Sequence, residues 1–412
     1  MRDEIAYCEG NQLPLSAKGC YTKRRPSRCC LYTPMIEKKD SDFDQTVSSR
    51  DEPIMDVPIL VLKDLQRDGT DTADQAIRQG MDLGCLWVDI GDGCDALQDT
   101  GVLWSHVESF FNTARDAPHW KSSRFTAPQD PYLDALMHSV YVSGSHYFSR
   151  PSFESSTIFP DDAASKAPEC LADIDPLLFQ VQNVMVDAAN QIFAYIGERV
   201  LGIEADFLAA APEKRTNTLT LHRVAPVAEE EEQKTAAQEH FDFNVANVLL
   251  YNYCRGFKIY RDKVWYQLAE PTKPNLLLFD FGSVVSIRSN RRVAALFHRV
   301  DSPILTEDER AAWGSRLSLV CPIVPALPQE IETHPKLLDE SIDGGKSPFD
   351  RHTYRDHVFY ASKHYTMLSK HVVFDDPNYN KAVSFQMRGA AFSVLRTKFR
   401  ATWGSLFGQK AR

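Results

Sequence analysis

The chain has 412 residues, 43% of them hydrophobic, with 46 basic against 56 acidic side chains for a formal charge of -10. Such a composition excludes a disordered or fibrous protein, and the lack of a dense Lys/Arg stripe speaks against nucleic acid as a partner, since nothing would neutralise a phosphate backbone. No apolar run approaches the length needed to cross a bilayer, so we expect no membrane partner and a soluble protein of one elaborated domain or two closely packed ones.

The first residues, Met1-Arg2-Asp3-Glu4, lead into a polar stretch without the apolar core of a secretory signal. The nine cysteines are an odd number, and Cys8, Cys20, Cys29 and Cys30 lack the paired spacing of a zinc knuckle. Reduced thiols and a cytoplasmic location are the expectation.

Residues 1–53 show neither helical nor strand period and read as a polar, disordered extension. Val57 to Leu62 then predicts a short buried strand, and Ala73, Ala76, Ile77 and Met81 recur at helical spacing before Gly84. Leu86 to Ile90 predicts a strand and Val102 to Phe111 a helix. From Ala117 to Pro168 the chain is rich in Pro, Ser, Asp and aromatics without a clean period, which predicts long loops. The strongest helix follows, with Asp175 as N-cap, Pro176 at the first helical position, an apolar face from Leu178 to Tyr195, and Gly202 at its end.

After Thr218 the texture changes to short strands: Leu219–Val224, Val245–Tyr253, Phe257–Tyr260, Trp265–Leu268, Leu276–Phe281, Ala295–Val300 and Arg316–Val324, with Asp262-Lys263 as a hairpin turn. This order predicts an α+β fold, a double-stranded β-helix (jelly roll) flanked by N-terminal and C-terminal helices, the latter from Thr353 to Leu368. It divides the chain into the extension 1–53, a helix-rich region 54–216, a jelly-roll core 217–326 and a C-terminal loop and helical region 327–412.

Within Glu239-His240-Phe241-Asp242-Phe243, the period of two puts His240 and Asp242 on one face and Phe241 on the other. His298 can be brought alongside by an antiparallel roll. Two imidazoles and one carboxylate on one face of an iron leave positions open for co-substrate and oxygen, the arrangement of non-haem Fe(II) oxygenases. In Arg316-Leu317-Ser318 the same alternation aims Arg316 and Ser318 together, a guanidinium fork and a hydroxyl suited to a carboxylate. Phe241 and Phe243 flank the ligands and stand as candidate substrate contacts, with core packing as the equal alternative. The acidic run Glu229 to Glu232 reads as a solvated loop, and His106-x-Glu108 lies on a helix where positions two apart diverge.

Taken together these segments resemble the isopenicillin N synthase-like family of Fe(II)/2-oxoglutarate-dependent dioxygenases. The resemblance is carried by Pro58 to Leu62, by Ala76 to Asp89, and most closely by Gly256 to Val300, with Phe257-Lys258-Ile259, Trp265, Leu277 to Gly282, Ser289-Asn290 and Phe297-His298-Arg299-Val300 in the family's order. It spans roughly residues 53–370 and implies iron on His240, Asp242 and His298, the distal carboxylate of 2-oxoglutarate on Arg316 and Ser318, and O2 as oxidant. Two departures stand out. An insertion from Asp301 to Gly314 separates His298 from Arg316, making Arg310 a fallback anchor, and the family's Asn-x-Tyr-Pro stretch is replaced by His222-Arg223-Val224-Ala225-Pro226, which lacks the tyrosine that contacts 2-oxoglutarate. The implied activity is oxidation, by default hydroxylation, of a small organic molecule, with natural-product biosynthesis as the first setting. A ring-closing oxidase that uses no 2-oxoglutarate and an inactive binding protein on the same fold remain as rival readings.

Overall fold

The computed structural model of the protein describes most of residues 52–358, with breaks of which the longest are 115–145 and 159–173. The extension up to residue 51 and the tail beyond residue 358 lie outside the described residues. So do Cys8, Cys20, Cys29, Cys30 and most of the helix expected from Thr353 to Leu368, of which 354–358 is helical.

The chain opens with strands β1 (Ile54–Met55) and β2 (Ile59–Val61), helix α1 (Asp71–Leu83), strand β3 (Cys85–Asp89) and helix α2 (Thr100–Ala114). The start of α1 is fixed by Thr70, whose side chain accepts from the Ala73 N–H at 3.1 Å, and its end by Gly84 at φ 95°. The stretch expected to be loop contains a hairpin, β4 (His146–Arg150) and β5 (Phe153–Ile158). Its Ser-rich, Pro-interrupted sequence carries little apolar alternation, so backbone pairing to a neighbouring strand decides its conformation. Helix α3 (Asp175–Ala194) is capped by Ile174 rather than Asp175, with Pro176 still in the first turn, and it runs on through a π-helical segment, Tyr195–Leu201, to Gly202 at φ 66°.

Helix α4 (Ala205–Ala209) leads into β6 (Arg215–Asn217), β7 (Leu219–Val224), β8 (Thr235–Phe241), β9 (Ala246–Tyr251), β10 (Phe257–Arg261), β11 (Val264–Leu268) and β12 (Leu276–Phe281). Then come helix α5 (Ser283–Arg288), β13 (Phe297–Asp301), helix α6 (Glu307–Trp313) and β14 (Arg316–Pro325). Asp262 and Lys263 join β10 to β11 at φ 51° and 69°, the left-handed pair of a type I′ hairpin, as expected.

Five strands form one sheet in the order β1-β11-β10-β13-β8, nine form a second in the order β2-β3-β12-β9-β14-β7-β5-β4 with β6 beside β14, and Glu330–Ile331 pairs with His352–Thr353 in a small third one. Pairing is antiparallel except for the edge pairs β1/β11 and β2/β3. Strict alternation splits the nine-stranded sheet into two faces. Leu86, Val88, Val248, Leu250, Leu277, Phe279, Leu317 and Leu319 join apolar residues of α1, α2 and α3 in the larger core. Trp87, Leu249, Tyr251, Leu278 and Val320 turn the other way and meet Phe257, Ile259 and Leu268 of the five-stranded sheet. The two sheets therefore face one another, with helices covering the outer side of the larger one. No described helix is long and apolar enough to cross a membrane. The described cysteines Cys85, Cys254 and Cys321 are buried thiols, not joined in a disulfide.

Lys258, on β10, is fully buried, and its ammonium lies 2.7 Å from Glu52 and 2.9 Å from Asp301, both nearly buried. Truncating it leaves the two desolvated carboxylates to Arg299 alone, which reaches Asp301 at 2.9 Å and Glu52 at 3.5 Å, so Lys258→Ala is expected to cost about 3 kcal/mol of unfolding free energy, the low end for a broken buried pair. Urea denaturation checks this: a loss below ~1 kcal/mol would show that the pair is solvated in practice.

Candidate metal centre

β8 and β13 pair so that His240 lies directly opposite His298, which brings their rings to a centroid distance of 4.3 Å. Asp242 sits just past the end of β8. Its Oδ1 is 3.6 Å from His240 Nε2 and its Oδ2 is 3.8 Å from His298 Nε2. The three ligand-type atoms all lie within 4.8 Å of one another, close to the spacing of atoms each ~2 Å from a shared ion. All three side chains are largely sheltered, at 11%, 17% and 6% exposure.

The loop carrying Asp242 is held by main-chain bonds to the start of α5. Ser283 N–H donates to the Asp242 carbonyl at 2.7 Å, Gly282 N–H to that of Val245, and Val284 N–H to that of Asn244. A Cβ on residue 282 would come within 2.2 Å of the Asn244 carbonyl, so only glycine permits this approach. Asn247, inward-facing on β9, donates to Asp242 Oδ2 at 2.5 Å and itself receives a bond from Asn244 at 2.6 Å. Its backbone N–H donates to the buried Asp280. The His298 ring stacks on Phe257 at 5.0 Å, and its Nδ1 meets the Leu296 carbonyl at 3.3 Å. A carbonyl partner requires a proton on Nδ1 and leaves the Nε2 lone pair facing Asp242.

Electrostatics favour the ligand forms. Burial alone would raise the Asp242 carboxyl, but His298, His240 and Asn247 outweigh it and bring it down to about 2. Burial, then the neighbouring His240, pushes His298 down to about 4. Asp280, pushed well up by burial and by the charge of Asp242, is the member of the carboxylate pair that keeps its proton.

Arg316 and Ser318 are both buried and lie on the inward face of β14. The Arg316 guanidinium carbon stands 4.6 Å from the Tyr251 ring centroid, and its Nε is buried without a hydrogen-bond partner. Among the described residues no carboxylate comes within ion-pair distance of it. A buried guanidinium without a counter-ion is costly, which makes this a candidate receptor for an anionic group from outside the chain. Arg310, the fallback, is exposed on α6 and does not reach the interior.

Phe241 is corrected: it turns to the outer face of the five-stranded sheet and packs on Phe297 at 4.7 Å in a small cluster with Ala295, so it is core rather than a substrate contact. This is what alternation requires of a residue between two ligands. Phe243 packs against the helix-side core. Three inward residues escaped the sequence reading: Asn247, Tyr251 and His222. The last is pushed down to about 4 by burial and then by Arg316, and it pairs across to Ser318. Counting in steps of two from Ser318 and Asp280 through their paired strands would have found all three.

No family model matches the chain. It is similar to a flavonol synthase/flavanone 3-hydroxylase from Petunia hybrida, 27% identical over 120 residues, which are 29% of this chain and 31% of that protein. The matched stretch thus spans about a third of the relative's length. Among solved structures, the rice dioxygenase for auxin oxidation superposes with a TM-score of 0.52 at 16% identity, over 74% of this chain and 95% of that one. JOX2, solved with 2OG, Fe and JA, gives 0.54 at 16% identity over 75% and 86%. The chain has the fold of the 2OG-Fe(II) oxygenases, in line with the isopenicillin N synthase-like resemblance of its sequence.

Proposed function

We propose that the protein is an Fe(II)- and 2-oxoglutarate-dependent dioxygenase that oxidises, by default hydroxylates, a small organic molecule, in natural-product biosynthesis. The observation that carries this reading is the meeting of His240, Asp242 and His298 on the face that also presents the uncompensated Arg316. The names of the Petunia hybrida relative and of the superposed dioxygenases support it, as does the JOX2 complex with 2OG and Fe.

In this reading residues 217–326 form a jelly-roll core whose two walls are the facing sheets. The region 54–216 supplies helices on the outer side; the region 327–412 is described only up to residue 358, and the extension 1–53 lies almost wholly outside the described residues. We place the protein in the cytoplasm, where thiols such as those of Cys85, Cys254 and Cys321 stay reduced.

Iron with 2-oxoglutarate and O2 supplies the oxidising chemistry, coupling decarboxylation of the 2-oxo acid to attack on a C–H bond. The chain's own work is to hold and to exclude. His240 Nε2, an Asp242 oxygen and His298 Nε2 would hold the metal. Asn247 fixes the Asp242 rotamer, Leu296 fixes the His298 tautomer, and Arg316 with Ser318 orients the co-substrate's distal carboxylate. Apolar walls from Phe257, Leu249 and Val320 keep the interior poor in water.

The test is anaerobic loading with Fe(II) and 2-oxoglutarate, then admission of O2 while candidate substrates are screened. Succinate should appear in step with O2 uptake and rise with substrate. Uptake without succinate would mark the ring-closing oxidase, and failure to bind iron would mark the inactive protein.

A further inference from the structure

The stretch His222 to Pro226 has no tyrosine to offer a 2-oxo acid, yet the interior holds one at the anchor. Tyr251 closes β9 and pairs in register with Ser318 of β14, so both side chains leave the sheet on the same face. Its ring lies beneath the Arg316 guanidinium at 4.6 Å. The hydroxyl is buried and lacks a hydrogen-bond partner among the described residues, as does Arg316 Nε beside it. Phenols buried in a protein nearly always find an acceptor, because leaving one unmade costs the full desolvation of the group. Here a donor without an acceptor stands next to a cation without an anion. One ligand group satisfies both: a carboxylate.

We propose that the Tyr251 hydroxyl donates a hydrogen bond to the distal carboxylate of the 2-oxo diacid held by Arg316 and Ser318, so that β9 supplies the phenol that the strand ahead of the first metal ligand does not. The inference rests on the dioxygenase reading above. Donation requires the phenol to stay protonated. Burial pushes Tyr251 well up, the effect of Arg316 in the opposite sense notwithstanding, so the proton is retained throughout the neutral range.

Tyr251→Phe keeps the ring under the guanidinium and removes only the hydroxyl. Dissociation constants are measured anaerobically by calorimetry on the Fe(II)-loaded full chain, for 2-oxoglutarate and for 2-oxopentanoate, which has a methyl group in place of the distal carboxylate. The variant should bind 2-oxoglutarate roughly ten- to hundredfold more weakly, bind 2-oxopentanoate unchanged, and take up iron as the parent does. Its ligand-free Tm should be equal or higher, since a hydroxyl with no partner is lost; a lower Tm would mean that the hydroxyl is already bonded within the protein, and the proposal fails. Unchanged affinity for 2-oxoglutarate, or equal weakening for both acids, overturns the role of Tyr251 while leaving the dioxygenase reading intact. A parent protein that does not prefer 2-oxoglutarate to 2-oxopentanoate overturns both.

Discussion

His240→Ala is expected to remove iron binding and turnover while leaving a folded protein. Two imidazoles and one carboxylate suit a non-haem iron while keeping positions free, and no fourth candidate stands beside them among the described residues. Removing one leaves an imidazole and a carboxylate, a pair too weak to retain the ion against dilution, so activity should fall by more than about a hundredfold; even removing a group that merely supports a ligand typically costs 10–100-fold. The fold should survive because β8 is tied to β13 by main-chain bonds, and Phe241, its neighbour on the outer face, keeps its packing on Phe297. Metal content after desalting, read with far-ultraviolet dichroism, separates the two effects. A variant that retains one iron per chain and turns over normally sinks the metal assignment. One that unfolds shows that His240 is structural instead.

The parts of this molecule that were legible in the sequence are those where burial imposes a period. Leu219–Val224 and Leu276–Phe281 match the expected strands residue for residue, and the pairing of His240 with Asp242 follows from alternation carried one residue past the end of β8. Where backbone pairing decides instead, the sequence is silent. The β4/β5 hairpin, His146–Arg150 and Phe153–Ile158, mixes aromatics with Ser, Glu and Arg without an alternating apolar face, and it exists because β7 offers an edge. The insertion from Asp301 to Gly314 reads as loop because α6 is a short helix with no buried residue. What specifies it is local: the capping box of Thr306 and Glu309, and an Arg255 side chain that bonds Glu309 at 2.8 Å and covers Trp313 at 4.8 Å. Asn247 and Tyr251 were hidden for another reason. Strand β9 is buried on both faces, so its polar residues carry no exposure signal, and only the registers with β12 and β14 reveal which way they point.

Arg316→Ala is expected to raise the 2-oxoglutarate requirement by roughly 30-fold to several thousandfold, with iron affinity unchanged. The size follows from the site's isolation. A guanidinium at 3% exposure, with no described carboxylate in reach and His222 kept neutral beside it, is the only described cation placed to compensate the ligand's distal charge. Truncating one partner of a buried charge pair costs about 2–5 kcal/mol, much of it the penalty of burying the other charge alone. Arg316→Lys should recover part of this loss but not all, because an ammonium supplies the charge without the two-pronged fork. Exposed Arg310 offers the control: Arg310→Ala should leave the requirement where it was. Steady-state kinetics over a range of 2-oxoglutarate concentrations read all three variants. If the alanine at 310 carries the effect and the alanine at 316 does not, the insertion bends inward in solution and the anchor belongs to α6.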